Sequence, residues 1–97
     1  MVFSEKNMRI TVEISLYPLH EDYVTPIKEF LSRLRKHSGF EIATNATSTQ
    51  IVGEHAEVFE LLSKEMELTF SSQKAVFVMK VLGFERDLQA PVKHQDT

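Results

Sequence analysis

The chain has 97 residues, 42% hydrophobic and 26% charged, with no cysteine and a formal net charge of −3 at pH 7. Such values fit one domain around a single core and exclude a globally disordered chain, disulfides, thiolate chemistry and Cys-ligated zinc. The acidic balance argues against nucleic acid as a partner, because affinity for phosphate backbones comes from Lys and Arg.

Residues 1–7 are expected to form a flexible N-terminus. The opening "MVFSEKNMRI" lacks the apolar run of a signal peptide, and no stretch approaches the roughly 18 apolar residues of a membrane span. The reading is therefore a cytoplasmic protein with no membrane partner. From Met8 to Leu16, "MRITVEISL" alternates strictly, with Ile10, Val12, Ile14 and Leu16 on one face and Arg9, Thr11, Glu13 and Ser15 on the other. That is the period of a half-buried strand. Pro18, which has no backbone donor, is expected to break it.

A helix is predicted from about Tyr23 to His37, where Val24, Ile27, Leu31 and Leu34 recur at spacings of three and four with Phe30 beside them. Its start has two candidate caps, Thr25 followed by Pro26, or Asp22 one turn earlier. Gly39 is expected to end it, and the basic cluster Arg33, Arg35, Lys36 and His37 to complement the negative end of the helix dipole. Two short strands follow, Phe40 to Thr44 and Thr49 to Val52, joined by a hairpin or bulged turn at "NATS". A second helix is predicted from His55 to Leu68, with Val58, Phe59, Leu61, Leu62 and Met66 on its apolar side, and a last strand from Gln73 to Leu82. Residues 84–97 read as a loose tail.

The order strand, helix, strand, strand, helix, strand over residues 8–83 predicts an α+β, ferredoxin-like βαββαβ sandwich, a four-stranded antiparallel sheet with two helices on one face. In that fold the sheet face away from the helices is normally polar. The last strand departs from this, since Val76, Val78 and Leu82 fall on the same side as Lys80. A mixed face of this kind predicts an interface between copies of the chain, a homodimer or homotetramer, through Val76, Val78 and Leu82.

The stretch "NATSTQ" sets Asn45, Ser48, Thr49 and Gln50 near the end of the first strand, where Ser15, Tyr17 and Pro18 leave the sheet. These groups either share a ligand site or close the turn through side-chain to backbone bonds. Catalytic patterns are missing. Ser15 and Ser48 have no His at a motif spacing, and no Gly-rich phosphate loop is present. The run His20, Glu21 and Asp22 is poor metal-ligand geometry, because consecutive residues seldom converge on one ion. "YPLHED" lacks the Arg of an acylphosphatase loop, and the central strands lack the aromatics of an RNA-recognition sheet.

At "EISLYPL" and "ATNATSTQIVGEHAEVF" the chain resembles the YkoF-like thiamine-binding family of small ferredoxin-like proteins. The resemblance rests on Ser15-Leu16-Tyr17-Pro18-Leu19, on the Ser48-Thr49 pair and on the Gly53-Glu54 turn into a helix with Val58-Phe59, and it spans residues 8 to 83. It implies binding rather than catalysis, with no cofactor. The ligand it implies is thiamine or its hydroxymethylpyrimidine part, for salvage, transport or sensing. It also implies that single-copy members assemble as dimers or tetramers. Carried over residue by residue, Ser48 and Thr49 would bond the aminopyrimidine edge. Asn45 stands where some relatives have an acidic residue and would offer an amide without charge. Ser15 and Tyr17 would line the same pocket. Glu13 would balance a thiazolium cation, or else serve as a cross-strand partner of Arg9 or Lys80. The second hypothesis is a structural or regulatory subunit that docks a partner protein on the same sheet face.

Overall fold

The structure, a computed structural model, describes residues 8–89. The flexible segment expected at residues 1–7, and residues 90–97 of the expected tail, lie outside the described residues. The elements are β1 (Arg9–Pro18), α1 (Val24–Arg35), β2 (Glu41–Thr44), β3 (Thr49–Glu54), α2 (His55–Ser72) and β4 (Ala75–Leu82). The sheet runs β2-β3-β1-β4 with every pairing antiparallel, which is the ferredoxin-like topology expected from the sequence.

The alternation in β1 is realised as two faces. Ile10, Val12, Ile14 and Leu16 are buried beneath the helices with Phe30, Leu34, Ile51, Val58, Leu61 and Leu62. Each such aliphatic side chain contributes about 1.5–3 kcal/mol by leaving water. Phe30 of α1 and Phe70 of α2 both meet Phe77 of β4 edge to face, at 5.2 and 5.5 Å, so one ring ties both helices to the sheet. No helix among the described residues is long and apolar enough to cross a membrane.

Several boundaries differ from those read off the sequence. β1 runs on through Pro18, opposite Ala75 of β4. Proline is tolerated there because its ring nitrogen faces the side on which β3 has already stopped, at Thr49 opposite Ile14. α1 starts with Asp22 as its effective cap: Asp22 Oδ1 accepts from the Thr25 backbone N–H at 3.2 Å, and Tyr23 already has right-handed helical angles. Pro26 then falls within the first turn, where no helical N–H bond is lost. The helix stops at Arg35, four residues before Gly39, which occupies the loop to β2 at φ 93°.

β3 passes into α2 with no intervening loop. Glu54 ends the strand and caps the helix, accepting from the Glu57 N–H at 3.1 Å. Gly53 is required by packing, since a Cβ there would lie 2.7 Å from Phe40 Cδ1 and 3.0 Å from Val58 Cγ2. α2 continues to Ser72, past the expected Leu68, with Thr69 buried against α1.

Between the helices, Glu65 is buried and accepts from Arg33 Nε, while Arg33 Nη2 donates to Thr69 Oγ1 at 3.1 Å and His37 Nε2 lies 3.6 Å from the carboxylate. Two members of the basic cluster therefore serve a partner on α2, in addition to any effect on the helix dipole.

Directly after β4 the chain folds back over one end of the open face. Thr11 Oγ1 donates to the Phe84 carbonyl at 3.0 Å and accepts from the Arg86 N–H at 2.8 Å, and Arg9 pairs with Glu85 at 3.0 Å. Thr11 and its cross-strand neighbour Val52 are both buried in this band.

Candidate ligand-binding site

The unequal lengths of β1 and β3 create the site. β3 pairs with β1 only from Arg9 to Ile14, so Ser15 to Pro18 project beyond it, and β4 is their one strand neighbour among the described residues. The β2–β3 hairpin and the first turns of α1 stand on either side of this overhang. They enclose a cleft of about 390 Å³ lined by residues of β1 from Ile14 to Pro18, of the hairpin from Thr44 to Thr49, and by Tyr23, Ile27, Phe30 and Leu31. That volume lies within the range for small-ligand pockets.

Asn45 shapes the hairpin. Its Oδ1 accepts from the Thr47 N–H at 2.9 Å, the Thr47 hydroxyl at 3.0 Å and the Ser48 N–H at 3.0 Å, while its own N–H donates to the Ser48 carbonyl. This is the turn-closing role open to it from the sequence, and it leaves the Asn45 Nδ2 group without a partner among the described residues. Ser15 Oγ donates to the Thr47 carbonyl at 3.1 Å, tying the overhang to the loop.

Ser48 and Thr49, being consecutive in an extended chain, point to opposite sides of the sheet. Thr49 is buried on the helix side, where its hydroxyl shares a 3.1 Å hydrogen bond with that of Thr44. Ser48 faces the open side. Its Oγ donates to Glu13 Oε2 at 2.9 Å and accepts from Gln50 Nε2 at 2.8 Å. Glu13 also pairs with Lys80 at 3.2 Å, its registered neighbour on β4. The Ser48 hydroxyl first, and the Lys80 ammonium second, hold the Glu13 carboxyl below its ordinary value.

Of the six residues singled out in the sequence, Ser15, Tyr17, Asn45, Ser48 and Thr49 line one cleft. Glu13 stands outside it, joined to it through Ser48. Sequence reasoning did not single out Tyr23, Ile27, Phe30 and Leu31, the wall supplied by α1 and the residue that precedes it. Their apolar spacing is that of any core-facing stripe, and nothing in a helical period says that its first turns overhang a gap.

A family model described as the YKOF-related family matches residues 9–82. The chain belongs to this family. The match takes in all six strands and helices, from the first residue of β1 to the last of β4. Among solved structures, a protein of Streptococcus pneumoniae is similar with a TM-score of 0.72 at 16% identity, over 76% of this chain and 84% of that one. A candidate thiamine biosynthesis/salvage protein of Thermotoga maritima is similar with a TM-score of 0.69 at 14% identity, over 91% of this chain and 94% of that one. A hypothetical protein of Methanocaldococcus jannascii is similar with a TM-score of 0.68 at 17% identity, over 92% of each chain. At these identities the likeness speaks for the fold alone. No curated protein matches the chain.

Proposed function

We propose that the protein binds thiamine or its hydroxymethylpyrimidine part, as a carrier, salvage component or sensor, and that it works as a homodimer or homotetramer without catalysing a reaction. The observation that carries this reading is the cleft at the β1 overhang. An apolar wall of Ile27, Phe30 and Leu31 faces a polar hairpin of Asn45, Ser48 and Thr49 across a gap of about 390 Å³. A flat heterocycle with a polar edge suits such a slot, its faces against aliphatic and aromatic carbon and its edge against hydroxyl and amide groups. Membership of the YKOF-related family and the fold shared with a candidate thiamine biosynthesis/salvage protein support the choice of ligand. Glu13, outside the cleft but bonded to Ser48, is the carboxylate toward which the thiazolium cation would extend.

Calorimetric titration with thiamine and with hydroxymethylpyrimidine tests the proposal. Saturable binding tighter than about 1 mM is expected for at least one of them. Heat of dilution alone for both would end it.

A second reading, a structural or regulatory subunit that docks a partner protein, is favoured by the exposed residues Val76 and Val78, which are 44% and 57% accessible on the open face. The two readings separate on whether that face is covered in solution while the cleft stays without affinity for either compound.

A further inference from the structure

The backbone of β1 offers the cleft something that no side chain does. In an extended strand the N–H and C=O of one residue point to the same edge, and successive residues alternate edges. Two hydrogen bonds fix the phase. Met8 C=O accepts from the His55 N–H at 2.8 Å, continuing the ladder on the β3 side. The Leu19 N–H donates to the Lys74 carbonyl at 3.0 Å, continuing the ladder on the β4 side. Even-numbered residues of β1 therefore address β3, and odd-numbered ones address β4.

The last pairing on the β3 side is Ile14 with Thr49. Beyond it, Leu16 and Pro18 turn their main-chain groups toward the cleft, where no strand among the described residues meets them. Pro18 has no N–H, so Leu16 alone offers a donor and an acceptor side by side. No backbone hydrogen bond among the described residues joins Leu16 to the hairpin across the gap, where the Thr47 N–H donates to Asn45 and the Thr47 carbonyl accepts from Ser15. Leu16 is buried and lines the cleft. Main-chain groups in such a place normally find a partner.

We propose that the N–H and C=O of Leu16 are the recognition edge of the cleft, and pair with a flat heterocycle carrying a ring-nitrogen acceptor next to an exocyclic amine. A strand residue bonds its antiparallel neighbour through this same donor and acceptor pair, and such an amidine-like edge presents the complementary pair in one plane. The apolar wall of α1 and the Tyr17 ring then set the plane of the bound ring. This inference rests on the binding function proposed above and assigns the contact that selects an aminopyrimidine.

The test replaces the Leu16 peptide N–H by an ester oxygen in the full-length protein, using the α-hydroxy analogue of leucine, with the same exchange at Thr11, which lies outside the cleft, as a control. Hydroxymethylpyrimidine and thiamine, which share the aminopyrimidine edge, are titrated by calorimetry and Tm is measured for each form. The Leu16 ester is expected to weaken binding about five- to tenfold, the loss of one hydrogen bond, and to keep most of its Tm. The Thr11 ester, whose N–H belongs to the β4 ladder opposite Leu82, is expected to lose more Tm and little affinity. With the unmodified protein, the analogue lacking the exocyclic amine is expected to bind weaker by a similar factor.

Equal affinity of the Leu16 ester and the parent protein would overturn the assignment while leaving the binding function standing. So would a Leu16 ester that loses as much Tm as the Thr11 ester, since its N–H would then have a partner within the protein. Failure of the unmodified protein to bind either hydroxymethylpyrimidine or thiamine would remove both.

Discussion

Ser48 lies where the cleft and the open face of the sheet meet. Its hydroxyl donates to Glu13 and accepts from Gln50, so its removal alters a charge as well as a contact. Glu13 titrates below its ordinary value, so the stability it adds is complete above the carboxylate's unfolded value and is lost as pH falls through the lower folded one. In Ser48→Ala the larger cause of that lowering is gone, and the loss should begin at a higher pH. Carboxylate NMR is the measurement: the Glu13 titration should move up toward an ordinary glutamate, with Lys80 left to hold what remains. An unmoved titration would mean that the Ser48 bond is not populated in solution. At this scale the sequence was informative about residue type and less so about direction. The Ser48-Thr49 pair and Asn45 stand out by composition, but only strand phase decides that Ser48 meets Glu13 and Thr49 meets Thr44 on the other side.

Among the elements, the two helices are joined by more than their apolar stripes. Glu65 has a side chain only 6% accessible and depends on Arg33 from α1. A carboxylate buried without its partner is costly, whereas an apolar pair of similar volume is tolerated. Arg33→Met is therefore expected to destabilise the fold by about 2 kcal/mol or more in urea unfolding. The double substitution Arg33→Met with Glu65→Leu should recover most of that loss. Purely additive losses in the double variant would show the pair to be incidental. The helices themselves were legible from their periods, but this pair was not. The basic run at the end of α1 has a sufficient local explanation in the helix dipole, and Glu65 lies 32 residues away, where only packing brings it to Arg33. The boundary errors have a similar source. Pro18 reads as a strand breaker locally, yet it is harmless at an edge that has lost its neighbour.

Over the whole molecule, the open face of the sheet divides into two regions. One end is covered by the chain itself, through the bonds of Thr11 to Phe84 and Arg86. The other end presents Val76 and Val78 beside the Glu13–Lys80 pair. The proposed association between copies belongs to this second region. Val78→Asp should shift the assembly to monomers in sizing chromatography coupled to light scattering, because a carboxylate would then have to be desolvated in the interface. An unchanged mass would place the interface elsewhere. By itself the sequence determined the order of elements, which residues of β1 and β4 share a face, the ferredoxin-like topology and the family. All of these follow from periodicities and short motifs that act within one element or between adjacent ones. Only the tertiary structure decided that β3 ends four residues short of β1, that α1 overhangs the gap, and that Leu16 turns its peptide groups into it. Those facts depend on register between strands distant in sequence, which is set by how the whole core packs and leaves no periodic trace in any single stretch.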